Sequence, residues 1–347
     1  MNNFRELEND TYIRFKPFAN SWVAIHPHPK GVIQFVGSFF IFGSLPTIFY
    51  NSLLRNLYNK GYTIIVYPTS LIPPLRWKLK LVDHWQASIR LLKEEYATKV
   101  ELITYLLKHT NQDSLDIYLS QSNYFWVGHS LGCKYISILE VLSGNPQDIN
   151  SNLATCKFNP QELKIIESDL KNLESERINC DHKINQLLAS KEINKQISSK
   201  KSIIDQPAIF IAPEIYGTQD SNGATIPIFK IFPSGQKTLC LIQKSNNNFN
   251  LTALMAFEGD EISEDDVQAL KKEFSSRDIN QNDKLIYNRF DGYNLKIKQL
   301  SSLFSHLRPT SNNVKPLAIC IDQTFNELRQ RANNNYEPQK VQCKDFT

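Results

Sequence analysis

No run of apolar residues in this sequence approaches the ~18 that a membrane span requires. The first residues, MNNFRELENDTYIRF, hold three acids and no apolar core. That pattern reads as neither a secretory signal nor a transit peptide. The six cysteines, at 133, 156, 180, 240, 320 and 343, form no C-x-x-C pair and have no histidine at metal-ligand spacing. No metal or other cofactor is therefore expected, and the thiols are expected to be reduced. Together these absences predict a cytoplasmic protein. Blocks of like charge are missing too. The 39 Lys and Arg lie among 35 Asp and Glu, for a net charge of +4, so nucleic acid is not an expected partner. There is no internal repeat.

What is present suits a folded enzyme-sized domain. Hydrophobic residues make up 41 % of the 347 and aromatics 11 %, enough to fill one large core with appendages. Short β-type runs alternate with helix-period runs, the pattern of a parallel sheet covered on both faces. Opening strands are expected at 12–15 and 22–25, then at 31–36 and 62–67, with a helix from about Leu45 between the last two. The clearest helix spans 84–108, where apolar residues step by three or four throughout. Residues 145–205 differ in composition. Lys, Glu, Asn, Gln and Ser dominate, with Ile and Leu at 166, 170, 173, 184, 187, 193 and 197. This stretch reads as a polar helical arm inserted between the halves of a core at 1–144 and 206–335, with 336–347 a tail. Residues 213–250 read as irregular and rich in Pro, Gly and Asn. They would leave a strand on the catalytic side, which makes them the lid candidate. The arm is expected on the opposite side, as a docking surface for a protein partner.

The motif that carries chemistry is Gly128-His129-Ser130-Leu131-Gly132. A serine hydroxyl is a poor nucleophile near neutral pH, and it needs a base to take its proton and donors to hold the oxyanion. A G-x-S-x-G turn sets the serine on a tight bend between strand and helix, with glycines where a Cβ would clash. Alone the pattern arises by chance in about one such chain in ten. Here a strand at 124–127 precedes it and a helix at 131–143 follows, which is the context a nucleophile elbow demands.

Its partners should follow in the order acid, then histidine. Seven histidines occur, at 26, 28, 84, 109, 129, 182 and 306. Only His306 lies after the last strand-like runs (285–290 and 293–298) and before the last helix, so it is the expected base, on a loop. Asp260 follows the strand 252–257 and is the expected acid, with Glu258 the nearest rival. Asp265 and Asp266 read as acids in the first turn of a helix. The oxyanion hole should combine the N–H of Leu131 with that of Ser38 or Phe39, from the loop after 31–36. The aromatic run there either lines an acyl pocket or packs beneath the first helix.

The runs Gly31-Val-Ile-Gln-Phe-Val-Gly37, Val127-Gly-His-Ser-Leu-Gly-Cys-Lys134 and His306-Leu-Arg-Pro309 resemble the domain-of-unknown-function 1350 family. These are α/β-hydrolases of cyanobacteria and plastid-bearing organisms, and the likeness covers about 20–310 without the polar insertion. The resemblance implies the α/β-hydrolase fold and a triad of Ser130, Asp260 and His306, and it supplies no substrate. Two functions follow as expectations. One is a serine hydrolase acting on an ester, thioester or lipid-acyl substrate. The other is a non-catalytic scaffold or assembly factor on the same fold, binding a protein through 145–205.

Overall fold

The computed structural model describes residues 13–38, 40–69, 75–76, 81–109, 115–197, 203, 206–215, 230–245, 248–276 and 285–332. Eleven strands run in chain order: β1 (Lys16–Phe18), β2 (Ser21–Ala24), β3 (Gly31–Val36), β4 (Tyr62–Tyr67), β5 (Leu75–Arg76), β6 (Leu81–Asp83), β7 (Tyr124–His129), β8 (Ala208–Ile211), β9 (Lys230–Phe232), β10 (Thr252–Phe257) and β11 (Tyr287–Phe290). The helices of the first half are α1 (Phe40–Ser44), α2 (Pro46–Phe49), α3 (Asn51–Asn59), α4 (His84–His109), α5 (Leu115–Leu119) and α6 (Leu131–Leu142). Those of the second half are α7 (Pro146–Thr155), α8 (Pro160–Ala189), α9 (Gly235–Lys244), α10 (Glu264–Ser276), α11 (Lys298–His306) and α12 (Lys315–Ala332).

Eight strands form the main sheet in the order β1-β2-β4-β3-β7-β8-β10-β11. The pairs β1–β2 and β2–β4 are antiparallel and all others parallel. This single antiparallel edge and the crossing of β3 and β4 define an α/β-hydrolase fold. The central strands β3, β4, β7 and β10 are buried along their whole length, as parallel strands covered on both faces must be. Alternate residues feed two cores. Val32, Val36, Tyr67 and Trp126 face α4 and α6, while Ile33, Phe35, Val66 and Val127 face α3 and α12.

The inserted segment is not a projecting arm. It makes α7 and then the 30-residue α8, which starts from a capping box on Asn159 and Glu162. Ile166, Leu173, Ile184 and Leu188 turn inward and join the core around α4. Gln86 bonds Asp169 at 2.5 Å, Lys93 bonds Glu176 at 2.6 Å, and Cys180 bonds the Tyr96 carbonyl at 3.5 Å. Partners thus advance together along both helices, so α8 runs parallel to α4. Because α4 descends from the C-terminal edge of the sheet, the start of α8 lies level with that edge. The expected placement on the opposite side holds only for the turn at Gly144 that begins the insertion.

Four other expectations are corrected. The first strand, expected at 12–15, forms instead at Lys16–Phe18, and residues 13–15 are in no strand. The segment 213–250 is not irregular throughout. Strand β9 pairs with β6 in a second, three-stranded sheet, and α9 follows with Ser234 as its N-cap; residues 216–229 of the lid candidate lie outside the described residues. The strand expected at 293–298 does not form. Its alternating Tyr293, Leu295 and Ile297 are exposed beyond the edge strand β11, with no strand to pair with among the described residues, and helix α11 begins at Lys298. Finally, Cys156 and Cys240 form a disulfide joining the end of α7 to α9, with Cα atoms 5.8 Å apart. The expectation of free thiols held for Cys133 and Cys180 and fails also for Cys320, which is disulfide-bonded. The sequence separation of 84 between Cys156 and Cys240 hid their proximity from any spacing rule.

Candidate active site

Strand β7 delivers the elbow to the C-terminal edge of the sheet. Ser130 adopts φ 55° and ψ −123°, a backbone state that costs a non-glycine residue about 1–3 kcal/mol. The neighbouring glycines make that turn feasible. A Cβ on Gly132 would sit 2.3 Å from the Val36 carbonyl oxygen, and one on Gly128 would meet the Cys133 backbone at 3.0 Å. The turn therefore nests against the end of β3, and any larger side chain would lift it away.

Three expected site residues meet. His306 Nε2 lies 2.9 Å from Ser130 Oγ, and His306 Nδ1 lies 3.0 and 3.2 Å from the two Asp260 oxygens. All three residues are buried. Asp260 also accepts from the Ile262 and Ser263 N–H groups at 3.1 and 3.3 Å and from Ser263 Oγ at 2.6 Å. Burial pushes the Asp260 carboxyl upward, but the hydrogen bond and charge of His306, with the donors of Ser263, outweigh it and hold the group below its usual value. Gly259, at φ 72°, turns the chain so that Asp260 points inward. The rival Glu258 stays exposed, and Asp266 sits in the first turn of α10 as expected. His306 is not on a loop as expected; it is the last residue of α11.

The oxyanion expectation divides. Leu131 is the first residue of α6, where an N–H has no acceptor within the helix. Ser38 does not fit the second role, because its N–H already donates to Tyr50 Oη at 3.0 Å. Phe39 lies outside the described residues. Beyond it, Phe42 stacks edge-on against Phe49 at 4.8 Å, which suits packing beneath the first helices.

The family model described as "Protein of unknown function (DUF1350)" matches residues 14–280. The chain belongs to the DUF1350 family. No curated protein sequence matches it. Among solved structures, carboxyl esterase 2 from the mycorrhizal fungus Tuber melanosporum is 12 % identical, covering 93 % of this chain and 89 % of its own at a TM-score of 0.45. Esterase B from Lactobacillus rhamnosis is 11 % identical, covering 94 % and 90 % at 0.44. TT1662 from Thermus thermophilus is 11 % identical, covering 86 % and 95 % at 0.40. None of these likenesses carries an argument about activity.

Two residues of this DUF1350 chain that sequence reasoning passed over belong to the site. His129, which lies before the acid in the chain and so was not a candidate base, sits between Tyr50 and the backbone of His306. Its Nδ1 lies 2.7 Å from Tyr50 Oη and its Nε2 2.8 Å from the His306 carbonyl oxygen. A carbonyl only accepts, so Nε2 carries the proton and Nδ1 accepts from Tyr50. Tyr50 in turn accepts from Ser38. One directed line of hydrogen bonds thus runs from the loop after β3 to the backbone of His306. Burial lowers His129 to about 3, assisted by the charge of His306, which keeps the ring neutral as that line requires.

The second is Glu214, just past β8. It is buried, its N–H donates to the Ser130 carbonyl at 3.2 Å, and its Oε2 accepts from Ser130 Oγ at 3.0 Å. Ala208-Ile-Phe-Ile-Ala-Pro-Glu214 reads as a strand ending at the same edge of the sheet as Ser130. A carboxylate directly after such a strand was the signal that could have found it.

Proposed function

We propose that this chain is a serine hydrolase that cleaves an ester, thioester or lipid-acyl bond through an acyl-enzyme. The observation that carries the reading is the unbroken series from Ser130 Oγ through His306 to Asp260, buried at the C-terminal edge of the sheet. In the proposed reaction Ser130 Oγ attacks the carbonyl carbon while His306 Nε2 takes its proton. The Leu131 N–H, at the positive end of α6, stabilises the oxyanion. The bond to the leaving group breaks, and His306 gives the proton to that group. A water deprotonated by His306 then releases the acid and restores Ser130. Asp260 fixes the Nδ1–H tautomer throughout.

The scaffold reading needs residues 145–205 free to bind a partner, and their apolar stripe is instead covered. Burial of that stripe against α4 favours the hydrolase. The test is a fluorophosphonate probe on the purified full chain. Wild type is expected to label at Ser130, and Ser130→Ala and His306→Ala to lose labelling by at least about a thousandfold in rate. Absence of labelling in folded wild type would overturn the reading.

A further inference from the structure

Ser130 Oγ has one proton and two buried neighbours that can accept it, His306 Nε2 at 2.9 Å and Glu214 Oε2 at 3.0 Å. If the proton points to an ionised Glu214, the contact with His306 requires a protonated imidazole, which cannot act as a base. If it points to His306, the Glu214 carboxylate faces an oxygen lone pair with no donor. An ionised Glu214 is therefore not served by the triad alone. Both its main chain and its side chain are tied to Ser130, so it does not leave the site easily.

Acylation sharpens the problem. Once Oγ becomes an ester oxygen it has no proton to donate, and a buried carboxylate without a donor is costly. Among the described residues, nearby groups do not fill the gap. Lys134 Nζ is fully buried one turn into α6 and makes no hydrogen bond. Burial draws this ammonium down to about 8, while the charges of Asp266 and Glu214 pull the other way. Asp266 is occupied by the Ile215 N–H at 2.8 Å. Glu214, Asp266 and Lys134 thus bring two carboxyl groups together with one amine, so acids outnumber bases by one here. An atom bonded to the carbon next to the acyl carbonyl lies roughly 3 Å from Oγ by ordinary bond lengths. A donor at that position reaches Oε2.

We propose that Glu214 is the specificity determinant of the site, and that it selects acyl groups carrying a protonated amine on the carbon next to the scissile carbonyl. The proposal rests on the reading of Ser130 as nucleophile. The amine supplies the donor and the positive charge, and it frees the Ser130 proton for His306. The reaction is otherwise the one above, yielding an amino acid and the released alcohol or thiol.

The test pairs two esters of one shape, phenylalanine methyl ester and methyl 3-phenylpropanoate, with released acid measured for wild type and Glu214→Gln. Wild type is expected to favour the amino ester by at least about a hundredfold in kcat/KM. Glu214→Gln is expected to bring that ratio to within a few-fold, chiefly by loss on the amino ester. A wild-type ratio near one with Ser130 labelled by the fluorophosphonate would overturn the proposal and leave the hydrolase reading intact. So would an unchanged ratio in Glu214→Gln. No labelling of folded wild type would overturn both. The wild-type ratio decides even if the variant fails to fold.

Discussion

His129 ties three parts of the site together through one neutral ring, and its titration has a consequence for stability. Above its unfolded value near 6.5 the ring is neutral in both folded and unfolded chains, so it contributes no pH dependence. Below that, the unfolded ring takes up a proton that the folded one refuses until about 3. The folded state therefore loses about 1.4 kcal/mol for each pH unit between those values from this group. Urea unfolding at a series of pH values should show His129→Phe with a slope shallower by about one proton over that window. At pH 8 the same variant should be less stable by about 2–4 kcal/mol, because Tyr50 Oη and the His306 carbonyl lose a buried partner. Equal slopes for variant and wild type would show that the ring is not held neutral.

Helix α8 shows why an imperfect stripe can still be a core face. Its buried residues are Ile166, Leu173, Cys180, Asp181, Ile184 and Leu188, and the Lys93–Glu176 ion pair joins its polar side to α4. With both side chains more than a third exposed, that pair contributes little. The apolar contacts hold the helix down. Ile184→Ala is expected to cost about 2–4 kcal/mol in chemical denaturation, whereas Ile178→Ala, at a residue 53 % exposed, should change stability by less than about 0.5 kcal/mol. Similar small effects at both positions would mean that α8 is not docked. Between α7 and α9, the Cys156–Cys240 link closes a long loop. Replacing both cysteines by serine is expected to cost about 2–4 kcal/mol, seen as a lower melting temperature.

At the scale of the whole molecule, the sheet separates two cores, and the insertion adds a further layer outside α4 on one side only. Because Leu173 and Leu188 share a cluster with Trp85 and Trp126, the insertion and the sheet should unfold together. Circular dichroism and tryptophan fluorescence are expected to report one coincident transition. Deleting 146–196 should abolish that transition, since it would bare the apolar outer face of α4. A deletion variant melting like wild type would show that the insertion is an independent appendage.

Most strands of the main sheet, the helices beside them and the Gly128–Gly132 turn between β7 and α6 were legible in the sequence. Each depends on local periodicity or on a turn whose glycines and serine are contiguous. Asp260 and His306 could be singled out because topology restricts which segments reach the C-terminal edge of the sheet. Only tertiary structure decided the rest. Glu214, the Tyr50–His129–His306 line and the Cys156–Cys240 pair unite residues far apart in the chain, and nothing in local spacing encodes such contacts. The lie of α8 was hidden for a related reason: a helix shows in its sequence which face is apolar, but which neighbour covers that face is set by the packing of the whole fold.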